Sequence, residues 1–120
     1  MLRVVLRLQA VYYAVTGLWP IVSMETFELV TGPKTDDWLV HMVGLLAASI
    51  GLALWTGART APRPPDAVVL LAVASAASFA AIDLVYALDG IISAVYLLDA
   101  AAEVGLLALL LVAWRRARRA

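Results

Sequence analysis

Asp99 and Glu103 stand four residues apart in an otherwise apolar stretch, with Tyr96 one turn before Asp99. On a helix of about 3.6 residues per turn, the three side chains share one face. Asp83 and Tyr86 form a second polar pair in another apolar stretch, and His41 opens a third, just after Asp36-Asp37. Ionisable groups inside lipid are expensive, and they mark proton or ion sites, line polar cavities or bond to neighbouring helices. The chemistry within reach is proton exchange, cation holding or hydrogen bonding to a small polar ligand. Asp83, Asp99, Glu103, His41, Tyr96 and Tyr86 are therefore the candidate proton- or ligand-binding set, and Tyr13 and Thr16 reach a similar depth from the first apolar stretch. The competing reading is a structural or accessory interaction subunit of a membrane complex, in which these acids are packing groups only, each neutral or bonded to a side chain of a neighbouring helix. Polar contacts between membrane helices are common enough to give that reading the greater weight.

Other chemistries lack their residues. With no cysteine, disulfides, thiolate metal sites and a cysteine nucleophile are excluded. A single histidine cannot supply a bis-histidine haem site. No glycine-rich phosphate loop, G-x-S-x-G elbow or H-E-x-x-H motif occurs. His41, Asp99 and Glu103 are suitable types for a divalent ion, but no ligand motif joins them, so neither a metal nor a cofactor is expected. A membrane enzyme would use Glu103 as general acid or base, but no nucleophile can be named beside it. No residue is therefore assigned a catalytic role.

These residues must be positioned by membrane-spanning helices. The chain of 120 residues is 64% hydrophobic, with a mean hydropathy of +0.93, well above the half-apolar composition of ordinary soluble domains. Crossing roughly 30 Å of hydrocarbon takes about 20 apolar residues. Four stretches qualify: Val4 to Met24, Trp38 to Thr56, Ala67 to Leu88 and Ile91 to Trp114. A polar segment from Glu25 to Asp37, containing Thr31-Gly32-Pro33, separates the first two, with a helix N-cap before Trp38. Pro62, Pro64 and Pro65 end the second, and Asp89-Gly90 is a short turn that predicts a tight hairpin. The expectation is a single all-α membrane domain over residues 1–120, an antiparallel bundle of four transmembrane helices. A signal peptide is the rival for the N-terminus. Gln9, Tyr12, Tyr13 and Trp19 interrupt its apolar run, and no small-x-small cleavage site follows.

The net charge is zero, but its parts are segregated. Arg3 and Arg7, Arg59 and Arg63, and Arg115, Arg116, Arg118 and Arg119 fall on one side of a four-span chain, and Lys34 alone on the other. Positive residues stay inside, so both termini are predicted to be cytoplasmic. Eight arginines to one lysine, with abundant alanine, match a GC-rich bacterial genome, and the expected location is the bacterial cytoplasmic (inner) membrane. Asp83 then lies about 8 Å, Asp99 about 12 Å and Glu103 about 18 Å from the outer ends of their helices. Together they outline an acidic cleft open to the outside. Glu103 lies deepest, where desolvation disfavours its charged form, and Arg7 approaches from the inner side.

Inside lipid, small residues let helices touch. Gly44, Ala47, Ala48 and Gly51, and Ala72, Ser75, Ala76, Ser78 and Ala80, form such surfaces. They are read as internal contacts, with a dimer seam as the minority alternative. The expected partners are the lipid bilayer and, across such a seam, a second copy or another membrane protein. The arginine tail is read as a topology anchor beside headgroups, and no nucleic-acid partner is expected.

Two strings carry a resemblance. One is Tyr12-Tyr13, Thr16-Gly17-Leu18-Trp19-Pro20, Phe27 and the run Thr31 to Val40 (TGPKTDDWLV). The other is Asp83-Leu84-Val85-Tyr86, Ile92-Ser93, Val95-Tyr96-Leu97-Leu98-Asp99 and Glu103. Together they resemble a group of small, uncharacterised four-helix bacterial membrane proteins, and the resemblance covers most of the chain. It implies the topology and no activity. Size and helix count are also loosely similar to DoxX-like membrane proteins.

Overall fold

The structure, a computed structural model, describes residues 1–119; Ala120, the last residue of the expected domain, lies outside it. Five helices follow one another: α1 (Leu2–Val22), α2 (Met24–Thr31), α3 (Asp37–Ala58), α4 (Asp66–Leu88) and α5 (Tyr96–Arg119). All but α2 are long and apolar enough to cross a membrane, so the chain is a multi-pass membrane protein with a four-helix bundle. Around the bundle the order is α1, α3, α4, α5, each packed on its antiparallel neighbours.

The bundle is apolar outside as well as inside. On α1, Val4, Leu8, Val11, Val15, Leu18 and Val22 form an exposed stripe at helical spacing. The opposite stripe, from Leu2 through Leu6, Gln9 and Tyr13 to Gly17, is buried. This is the pattern of a helix with protein on one side and hydrocarbon on the other.

The closest seam joins α1 to α3. A Cβ added at Gly17 would strike the carbonyl oxygen of Gly44, and one at Gly44 would strike that of Gly17. A turn or two further inward, a Cβ on Gly51 would come within 2.8 Å of the Ala10 carbonyl oxygen. Glycine is needed at this crossing because the two backbones touch, as the small-residue surface on α3 predicts. On α4, Ala72, Ser75, Ala76 and Ala80 are buried as expected, whereas Ser78 is exposed.

Two expectations need correction. The segment from Glu25 to Asp37 is not simply a polar loop, because α2 occupies most of its first half. Ser23 closes α1 through its N–H on the Trp19 carbonyl, and its Oγ accepts from the Thr26 N–H at 3.3 Å, starting α2. Gly32, at φ +95°, ends α2 with its N–H on Glu28. The fourth span begins at Tyr96 rather than Ile91. After Gly90, at φ +75°, the chain makes turns through Ile91–Val95, with the Ser93 hydroxyl accepting from the Val95 N–H. Apolarity alone does not make these five residues helical once a left-handed glycine has broken the run. At the start of α3, Asp36 holds the cap position but makes no side-chain cap bond.

The end of the bundle that carries the N-terminus is tied by arginine. Arg3 donates to the carbonyl of Ala58 and, at 2.9 Å, to that of Pro62, and Arg116 reaches the Met1 sulfur at 3.6 Å. The N-terminus, the loop after α3 and the end of α5 therefore share one end of the bundle. At the other end, Lys34 lies 5.2 Å over the Tyr96 ring.

Candidate functional site

Asp83, Asp99 and Glu103 come together where α1, α4 and α5 meet. Glu103 and Gln9 are fully buried, Tyr13 is 2% exposed and Asp83 6%. Gln9 Nε2 donates at 3.0 Å to the Tyr13 hydroxyl and at 3.0 Å to the Ala72 carbonyl of α4. The Tyr13 hydroxyl donates to Glu103 Oε2 at 2.9 Å. One turn outward in the same seam, the Tyr12 hydroxyl donates to Asp99 Oδ1. Asp83 and Asp99 approach each other across the α4–α5 seam. Tyr12 lies in the field of all three acids.

The fold explains this convergence. Gln9, Tyr12 and Tyr13 stand at i, i+3 and i+4 on α1, the spacing that groups side chains on one helical face. Asp99 and Glu103 repeat that spacing on α5. Phe79 of α4 meets the Tyr13 ring edge-on, with centroids 5.3 Å apart, and fixes its orientation. Tyrosine suits such a place because its ring is buried while its hydroxyl reaches the acid.

Among the described residues, three buried side-chain oxygens have no hydrogen-bond partner: Gln9 Oε1, Asp83 Oδ2 and Glu103 Oε1. The charged groups acting on Asp83 are Asp99 and Glu103, and those acting on Glu103 are Asp99 and Asp83; no cation is among them. Arg7, expected to approach from the inner side, instead lies 5.6 Å over the Trp55 ring. With α5 starting at Tyr96, Asp99 and Glu103 lie about 4.5 Å and about 10 Å from its outer end, shallower than expected.

The other candidates do not join the cluster. His41 is half-buried at the outer start of α3, which packs mainly against α1. Tyr86 is 40% exposed. Tyr96 stacks under Lys34, whose ammonium also donates to the carbonyls of Thr31 and Gly32 at 3.0 Å each and lies 5.9 Å over Phe27. This places the outer-side lysine and Tyr96 one turn outward of Asp99. Thr16 is turned back to the Tyr12 carbonyl, at 2.7 Å. Among the described residues, no three acidic or histidine groups lie close enough to hold a metal.

Sequence reasoning missed Gln9 and Tyr12 as members of the site. The signal was the i, i+3, i+4 spacing of Gln9, Tyr12 and Tyr13 inside an apolar run. Gln9 reads as an interruption of the span until a carbonyl and a carboxyl on other helices give it a role.

Fold and site together define a class: a multi-pass, four-helix membrane bundle with carboxyl groups buried among tyrosines in the half that carries Lys34. No family model matches this chain, and no curated protein or solved structure is significantly similar to it.

Proposed function

We propose that this is a protein of the bacterial cytoplasmic membrane, with both termini in the cytoplasm, that binds protons at the carboxyl cluster of Asp83, Asp99 and Glu103. The observation that carries this reading is the pair of unpartnered oxygens, Asp83 Oδ2 and Glu103 Oε1, in a site without a cation. A buried carboxylate without compensation is costly, and two facing carboxylates repel, so the stable form of the cluster carries protons. A proton needs no cavity. A small polar ligand would need one, and two grooves on the bundle surface, lined mostly by apolar side chains, include none of the acids. The exposed apolar stripes support the lipid bilayer as the partner.

Infrared spectra of the reconstituted protein test this reading. A protonated carboxyl band at neutral pH that disappears in Glu103→Gln is expected. A wild-type spectrum in which Glu103 contributes only carboxylate bands would sink it. Reporter fusions test the orientation: at residues 61–66 and at the C-terminus they should read cytoplasmic, and at 31–35 external.

The second reading keeps the acids as packing groups. It is favoured by the way Gln9 and Tyr13 tie α1 to both α4 and α5. The readings separate on Glu103→Gln. If packing is the whole role, Gln is nearly silent. If the site works by proton exchange, Gln stays folded and loses the pH response of stability seen in the wild type.

A further inference from the structure

We infer that Gln9 closes the inner end of the cluster to protons, so that Glu103 exchanges its proton with the outer face alone. The inference rests on the proton-binding reading and concerns which side of the membrane the site answers to.

Hydrogen-bond direction makes the seal. The Ala72 carbonyl can only accept, so the Gln9 atom 3.0 Å away must be the amide nitrogen. The second hydrogen of that nitrogen points at the Tyr13 hydroxyl, also at 3.0 Å. A phenol has one proton, and here it is directed to Glu103 Oε2 at 2.9 Å. Glu103 Oε2 is therefore an acceptor, and any proton that Glu103 carries sits on Oε1. Apart from Glu103, the Tyr13 hydroxyl meets the Gln9 amide nitrogen, whose lone pair is committed to the carbonyl, and the Ser75 hydroxyl, whose proton is held by the Leu71 carbonyl at 2.7 Å, so neither passes a proton inward. The Gln9 carbonyl oxygen is buried and makes no onward bond. Beneath it lies an apolar plug in which Leu6, Leu54 and Leu110 are fully buried. The chain from Gln9 to Leu2 spans about 10 Å of helix through this plug.

The outward side is different. Asp99 is half-buried and bonded to Tyr12, and Asp83 stands against it. The titratable groups facing Glu103 are Tyr12 and Tyr13 from α1, Asp83 from α4 and Asp99 from α5; α3 contributes none of the groups acting on it. Lys34, stacked on Tyr96, is the cation at the mouth. The arrangement suits a group that reports the acidity of the outer compartment.

The test uses the full chain, uniformly oriented in vesicles of phosphatidylcholine and phosphatidylglycerol. The Glu103 carboxyl band, assigned by its loss in Glu103→Gln, should follow a pH jump outside and ignore one inside. Proton flux under a potassium diffusion potential should equal that of empty vesicles. Gln9→Met frees the Tyr13 hydroxyl from its imposed donor and should shift the frequency of the Glu103 band; Tyr13→Phe should shift it too. A purely structural Gln9 would lower thermal stability and leave that band in place, which counts against the inference. A response to inner pH, or flux above empty vesicles, overturns the inference while leaving proton binding intact. If Glu103→Gln removes no protonated band, the proton-binding reading falls, and the inference with it. Should both variants fail to fold, the wild-type jumps and flux still decide.

Discussion

Helix α1 is held by two seams that work in different ways. Toward α3 it offers Gly17, Ala10 and the turns between them, and the backbones touch through Gly44 and Gly51. Toward α4 and α5 it offers Gln9, Tyr12 and Tyr13, and hydrogen bonds do the joining. Lipid does not drive helices together as water does, so a membrane bundle depends on close packing and on polar contacts. The glycine seam depends on shape and does not respond to pH. The tyrosine–acid seam depends on charge state, so the bundle's stability can follow proton binding there. A single helix thus separates a fixed contact from a responsive one.

The glycine seam should break most severely. Gly44→Val places a side chain on the Gly17 carbonyl, and overpacking of this kind costs roughly 3 kcal/mol or more, because backbone cannot yield as a side chain can. Thermal unfolding in detergent should show little folded protein. A stable Gly44→Val variant would mean that the seam is looser than the backbone contact requires. Next comes Glu103→Leu, which leaves the Tyr13 hydroxyl buried without an acceptor, at a cost of about 1–3 kcal/mol. Glu103→Gln keeps an acceptor and should recover most of that loss, and equal losses for Leu and Gln would deny the bond its role. Tyr12→Phe removes the donor to half-buried Asp99, for which about 0.6 kcal/mol is the typical membrane value. The smallest effect should be that of Arg63→Gln. Arg63 is exposed, and such surface changes stay within about 0.5 kcal/mol. Reporter fusions should show its topology unchanged, since seven other arginines mark the same end.

The glycine seam was legible in the sequence because small residues at helical spacing have few other uses in a span. The four spans were legible because hydrocarbon thickness fixes their length. The start of α5 was not, because Ile91–Val95 is as apolar as a helix but follows a left-handed Gly90. Helix α2 was hidden for the opposite reason. Its Met24-Glu25-Thr26 opening is polar, yet Ser23 supplies the N-cap that a hydropathy reading passes over. In the site, the acids announced themselves by their cost in lipid. Their convergence could not be read, since it depends on how α4 and α5 pair and on the turn by which α5 is delayed. His41 shared the chemistry of the set but stands on α3, which joins the bundle through its glycines, away from the acids.

Glu103 stands on α5, the last of the four spans to emerge during synthesis. Until α5 arrives, the Tyr13 hydroxyl has no carboxyl to receive its proton, and the polar face of α1 is incomplete. The glycine seam can form earlier, since α1 and α3 are both made before α4 is finished. Synthesis order thus allows shape to join the first half of the chain before α5 brings Asp99 and Glu103 to the tyrosines. A chain stopped after α4 would keep its backbone crossing and the Gln9 bond to Ala72, and would leave the Tyr12 and Tyr13 hydroxyls without their α5 acceptors in lipid.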